Sequence, residues 1–114
     1  VIEVIQIGKT EVQMKASGNT PKLYREIFKK EFFADLKKFR MSLKQTETGG
    51  FELSEETDTG VLERLGYVMA YQAHADHTGS LEEWLDQFGP FDIIGSMGAI
   101  LSVWGGSEET TSTP

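Results

Sequence analysis

The sequence predicts an α+β fold: an N-terminal β-hairpin packed on a small helical bundle of about four to five helices, followed by a disordered acidic C-terminal tail. Three observations predict it. Val12, Met14 and Ala16 alternate with Glu11, Gln13 and Lys15 at period two, and Gly8 separates this run from an earlier apolar one, the pattern of a hairpin with one wet face. From Tyr24 to Phe39, and again from Val61 onward, apolar residues recur at three- and four-residue steps, which gathers them on one side of a helix. Residues 105–114 are almost all Ser, Thr, Glu and Gly and lack the apolar surface needed to order themselves.

A chain of 114 residues carries one hydrophobic core, so we expect a single α+β domain over residues 1–104 and a flexible acidic tail over 105–114. The apolar fraction of 39% against 25% charged residues excludes wholesale disorder. With no cysteine present, disulfides, thiol nucleophiles, iron–sulfur clusters and cysteine zinc sites are all excluded. No apolar run reaches the length of a bilayer span, and the first residues lack the basic and apolar regions of a signal peptide, so neither export by signal nor membrane anchoring is expected. Because the chain opens at Val1, removal of an initiator methionine or a short leader is also an expectation.

In the first half, Ile2 and Val4 point one way and Ile5 and Ile7 the other, which requires a strand that is either bulged or covered on both faces. Ser17, Gly18 and Asn19 read as a turn, and Thr20-Pro21 as an N-cap with proline in the first helical position, where its missing N–H costs nothing. Tyr24, Ile27, Phe28, Phe32, Phe33, Leu36 and Phe39 then mark an amphipathic helix with a break near Lys30. Its basic polar side is compatible with a membrane surface, but four phenylalanines in so small a chain belong first to its core.

Residues 42–60 are polar and glycine-bearing and read as a connecting loop. Val61, Leu62, Leu65, Val68 and Met69 restore the helical period as far as His77, with Asp58 or Thr59 as cap and Gly66 and Ala70 allowing close packing. Ser80 to Glu83 has the form of a capping box before Trp84, Leu85 and Phe88, and Gly89-Pro90 ends that short helix. From Phe91 to Trp104 the chain is apolar around Gly95 and Gly98, fitting a helix with close-approach glycines that is covered either by the rest of the fold or by another subunit.

Charge divides the chain. Residues 1–44 hold ten of the eleven basic residues against five acids, net +5, while residues 45–114 hold Arg64 against thirteen acids, net −12; together they make the formal −7. Such polarity either steers self-association and docking or is satisfied within one compact fold. There is no dense run of basic residues with interleaved aromatics, so no nucleic-acid partner is expected.

Chemistry-bearing motifs are few. His74 and His77 are three residues apart rather than in the HxxxH spacing of a helical zinc pair. Glu55, Glu56 and Asp58 lack the alternating ligands of a calcium loop, and neither glycine pair sits in a phosphate-binding or dinucleotide fingerprint. No serine occupies a Gly-x-Ser-x-Gly elbow. The expectation is a protein that is not an enzyme and uses no metal or cofactor.

The run Ala16-Ser17-Gly18-Asn19-Thr20-Pro21-Lys22-Leu23-Tyr24-Arg25, followed by Phe28 to Leu36 and preceded by a hairpin turning at Ile7-Gly8-Lys9, resembles the tail assembly chaperones of long-tailed (siphovirus-type) bacteriophages and prophages of Gram-positive bacteria. Residues 1 to 40 carry the resemblance; residues 61–104 share only helical character and length. The resemblance implies a non-catalytic protein that coats the tape measure protein and whose longer, frameshifted form recruits the major tail protein. It also implies a homo-oligomer in the cytoplasm of the infected or lysogenic host that is missing from the mature virion. No functional residue of that family carries over. A client-binding role instead directs attention to the aromatic helix, Tyr24, Phe28, Phe32 and Phe33, and to Ile94, Met97, Leu101 and Trp104, for each of which burial in the protein's own core is the competing assignment. The alternative role is a permanent virion component such as a head–tail connector or minor tail protein.

Overall fold

The computed structural model describes the backbone of residues 2–112 and the side chains of residues 2–105. A hairpin of β1 (Glu3–Ile7) and β2 (Thr10–Met14) leads into α1 (Asn19–Phe28) and α2 (Phe32–Ser42). A small ladder of β3 (Lys44–Gln45) and β4 (Phe51–Glu52) precedes α3 (Gly60–Ala73), α4 (Ala75–Thr78), α5 (Leu81–Leu85), α6 (Asp92–Gly95) and α7 (Met97–Ser112). The class is α+β with an N-terminal antiparallel hairpin, but seven helices stand among the described residues where four to five were expected.

The excess has a local cause. The break expected near Lys30 is present, and two further expected helices each divide once. Lys29 takes a left-handed conformation at φ 57° and separates α1 from α2, His74 leaves the helical region at φ −150° between α3 and α4, and Ser96 intervenes between α6 and α7. At Ser96 the amide donates to the carbonyls of both Asp92 (3.0 Å) and Ile93 (3.1 Å), a bifurcated closure typical of a helix end. The backbone of α7 runs into the segment expected as a flexible acidic tail, residues 105–114, whose side chains beyond Gly105 lie outside the described residues.

Ile7 pairs with Thr10, leaving Gly8 and Lys9 as a two-residue turn with Gly8 at φ 61°. Positive φ at the first central position suits the right-handed twist of the strands and favours glycine. The register continues unbroken from Ile7↔Thr10 to Glu3↔Met14. Ile5, Ile7, Val12 and Met14 therefore share the inward face, while Ile2 and Val4 stay 48% and 57% exposed. Neither alternative expected for the first strand holds: it has no bulge, and its outer face is not covered.

Thr20 is not the cap of α1. Gly18 holds the N-cap position, and Ser17 before it braces the first turn, its carbonyl accepting from the Thr20 amide (3.0 Å) and its hydroxyl from the Asn19 amide (3.1 Å). The Thr20 side chain is fully buried and donates to Gln72 Oε1 of α3, while Gln72 Nε2 donates to Ser17 Oγ at 2.9 Å. A short polar cluster thus pins the start of α1 to α3.

Helix α3 is the centre of the fold. It packs on β2 and on α1, α2, α4, α5, α6 and α7, and its composition explains why: Val61, Leu62, Leu65, Tyr67, Val68 and Met69 are all nearly inaccessible, as are Gly66 and Ala70. A Cβ on Gly66 would stand 3.0 Å from Trp84 Cη2 and 3.7 Å from Met14 Cε, so the expected close approach is real. Gly95 and Gly98 behave differently, since a Cβ on either meets nothing within 4 Å.

At the start of α3, Asp58 Oδ1 accepts from the Gly60 amide (2.9 Å) while the N-cap position belongs to Thr59, whose side chain makes no cap bond. The polar connection before it is partly ordered: the Thr46 amide donates to the Gly50 carbonyl (2.8 Å), Gly49 turns at φ 89°, and β3 pairs with β4. The capping box of α5 forms in full, with the Glu83 amide donating to Ser80 Oγ (3.1 Å) and the Ser80 amide to Glu83 Oε1 (3.0 Å).

Candidate functional site

The two segments singled out for partner binding meet in space. Within α1, Tyr24 and Phe28 lie one turn apart with ring centroids 5.5 Å apart. Tyr24 meets Phe32 of α2 edge-on at 5.1 Å, and Phe32 meets Trp104 of α7 at 5.0 Å. Phe33 closes the cluster, 5.2 Å from Phe32 and 6.4 Å from Trp104. Edge-to-face contacts of this kind align ring edges with ring faces and fix each ring's orientation.

Exposure separates the roles of these residues. Tyr24 and Phe32 are 0% exposed and Trp104 6%, so they form the floor and present no area to a partner. Phe33 is 53% exposed. Phe28, Met97 and Leu101 are partly buried against the core and Ile94 is half-buried, and Met97 and Leu101, four residues apart on α7, share one side of that helix. Of this set Phe33 is the ring that remains broadly accessible, held edge-on by Phe32. Trp104 Nε1 is buried without a hydrogen-bond partner among the described residues, a cost that native interiors ordinarily avoid.

Beneath the aromatic floor lies a polar junction. The Tyr24 hydroxyl donates to Asp35 Oδ2 at 2.7 Å and accepts from Arg64 Nε at 2.9 Å. Arg64 also reaches Asp35 Oδ2 (3.5 Å) and Asp58 Oδ2 (3.3 Å). Burial is the main cause that pushes the Tyr24 phenol far above its ordinary range, the Arg64 guanidinium opposing it; the group stays neutral and serves as donor and acceptor at once. Arg64, the one basic residue of the acidic half, therefore joins that half to Asp35 in the basic half. Its isolation in the charge pattern was the signal available for finding this junction, which sequence reasoning missed.

The histidines do not join it. His74 and His77 are exposed, their rings 5.5 Å apart at the α3–α4 break, and they border a concavity of about 330 Å³ with Glu11, Gln13, Trp84 and Gln87. Among the described residues no three His, Asp or Glu side chains are gathered as metal ligands, and no helix is long and apolar enough to cross a membrane.

Of the other exposed apolar side chains, Met41 at 75% and Phe51 at 59% went unnoticed in the sequence, while Phe91 at 78% opens the apolar segment expected to need covering. Met41 lies eight residues after Phe33 on α2, a spacing that places both on adjacent parts of one helix face. Comparison with protein-family models, with curated proteins and with solved structures finds no match to this chain.

Proposed function

We propose that this chain is a non-catalytic assembly chaperone for phage tail construction: it holds the tape measure protein in solution, helps recruit the major tail protein through a longer frameshifted form, and leaves before the particle is complete. In this role it works as a homo-oligomer in the cytoplasm of the infected or lysogenic host. The observation that carries the proposal is the exposed Phe33 ring, seated on Phe32 and Trp104. A client-holding protein needs such accessible apolar area on a rigid base, because area ordered in advance loses less entropy on binding. The resemblance of residues 1 to 40 to tail assembly chaperones supplies the identity of the client.

Co-expression with the tape measure protein of the same genome, co-purification and light scattering test it. A soluble complex with several copies per client chain is the expected result. A client that still aggregates, together with this chain's presence in purified particles, would instead favour a head–tail connector or minor tail protein.

A further inference from the structure

Helix α2 extends the exposed Phe33 position into a longer surface along its own axis. Phe33, Lys37 and Met41 stand at i, i+4 and i+8 and are all exposed, Phe33 at 53% and Met41 at 75%. Residues at this spacing form one of the side-chain ridges that seat in the groove of a facing helix, and from Phe33 to Met41 the ridge is about 12 Å long at 1.5 Å rise per residue.

On the ridge itself the charge is basic, while at its Met41 end Glu55 and Glu56 line a shared concavity with Lys44. Lys30 precedes it and Lys37 lies in its middle, both exposed. The acids nearest in sequence are engaged elsewhere: Glu31 pairs with Arg25 at 3.7 Å, and Asp35 accepts from Tyr24 and Arg64 on the inner side of the helix. Two large apolar side chains with lysines between and before them thus sit on a protein whose formal net charge is −7.

We propose that this ridge docks an acidic amphipathic helix, one that presents apolar residues about two turns apart, to cover Phe33 and Met41, with Glu or Asp beside them to meet Lys30 and Lys37. Charge complementarity selects an acidic occupant over a basic one, and opposite potentials across a contact steer encounter and suppress wrong partners. A helix fits the ridge better than an anionic bilayer does. The apolar face is only about two turns long, too short to bury a helix side in a bilayer interface. The inference goes beyond the chaperone proposal and stands or falls without it, because it concerns the chemistry of the partner helix and not the identity of the protein that carries it.

The test uses the full chain and a fluorescein-labelled designed helix of roughly five turns, with Leu at ridge-matching positions and Glu flanking them. A counterpart with Lys in place of each Glu, and vesicles of phosphatidylserine and phosphatidylcholine, complete the set. Anisotropy should show saturable binding of the acidic peptide that is about tenfold or more tighter than that of the basic one. Lys37→Glu and Met41→Ser, both at exposed positions, should each weaken binding about fivefold or more while leaving the circular dichroism spectrum unchanged. No binding of the acidic peptide, equal binding of the basic peptide, indifference to both substitutions, or binding to vesicles in place of peptide would each overturn the proposal. Co-purification of the tape measure protein with Lys37→Glu at the wild-type level would leave the chaperone reading intact while removing this ridge from it.

Discussion

Tyr24→Phe deletes one oxygen from the junction of α1, α2 and α3, and the geometry sets what that oxygen contributes. It donates to Asp35 Oδ2 at 2.7 Å and accepts from Arg64 Nε at 2.9 Å. A hydrogen bond to a charged group contributes about 1.5–3 kcal/mol, so an upper figure for the two is about 3–6 kcal/mol. Two features lower it. The Arg64 and Asp35 side chains keep 15% and 23% exposure, which lets water replace part of what is lost, and their mutual 3.5 Å contact survives. The expected loss is about 2–3 kcal/mol, read as a fall of about 1–2 M in the urea midpoint with Trp84 and Trp104 as fluorescence probes.

The same variant has a pH signature. Burial raises the folded-state pKa of Tyr24 far above the ordinary 10.0, so the unfolded chain releases this proton first. The contribution of the group is fully present below about pH 10 and is lost as the pH climbs above it, at up to about 1.4 kcal/mol per pH unit. Phenylalanine has no such proton, and the alkaline titration of Tyr67, also raised by burial, is common to both proteins. The stability gap between wild type and Tyr24→Phe should therefore narrow between about pH 10 and 11.5. A gap below about 0.5 kcal/mol at neutral pH, or one that stays constant as the pH rises, would refute the assigned role of the hydroxyl.

Gly8→Ala should cost about 1–3 kcal/mol in chemical denaturation, because Gly8 sits at φ 61° and a Cβ there would collide with the Asp92 carboxylate, which the Gly89 amide holds by a 2.7 Å bond. Gly66→Leu should destabilise by about 2–4 kcal/mol and shift tryptophan emission, since the new side chain has to displace the Trp84 ring only 3.0 Å away at its Cβ; an unchanged midpoint would contradict the packing of α3 on α5. Ser80→Ala removes the hydroxyl that accepts from the Glu83 amide and should cost about 1 kcal/mol. The Ser80 bonds, the backbone one foremost, hold the exposed Glu83 carboxyl below its usual range, so part of the loss should vanish as the pH falls and that carboxylate is protonated.

The fold was legible where a single residue pattern settles the backbone. Gly8 between an apolar run and an alternating one meant a hairpin, and Ser80-x-x-Glu83 meant a capped helix, because in each case the stabilising contacts lie within a few residues. Thr20 shows where that logic ends. Thr-Pro has the form of a cap, yet a distant glutamine, Gln72, takes the hydroxyl, and no local rule contains α3. The helix breaks at His74 and Ser96 were equally illegible, since neither position carries a proline or a glycine to announce it. For the candidate surface, periodicity gathered Tyr24, Phe28, Phe32 and Phe33 correctly as neighbours. It could not divide a buried Phe32 from an exposed Phe33, because that division depends on where Trp104 of α7 arrives.

The bond from Ser96 Oγ to the Gln6 carbonyl, 3.3 Å long, joins residues 90 positions apart, and β1 packs on α6 and α7 as well as on β2. Translation proceeds at about 5–20 residues per second, so roughly 5–18 s separate the synthesis of Gln6 from that of its partner. Throughout that interval the nascent hairpin has no C-terminal helices against which to lay Ile5 and Ile7. Ribosome-bound chains halted before α6 should accordingly be protease-sensitive at the hairpin, and protection should appear only once the segment through α7 has been released from the exit tunnel.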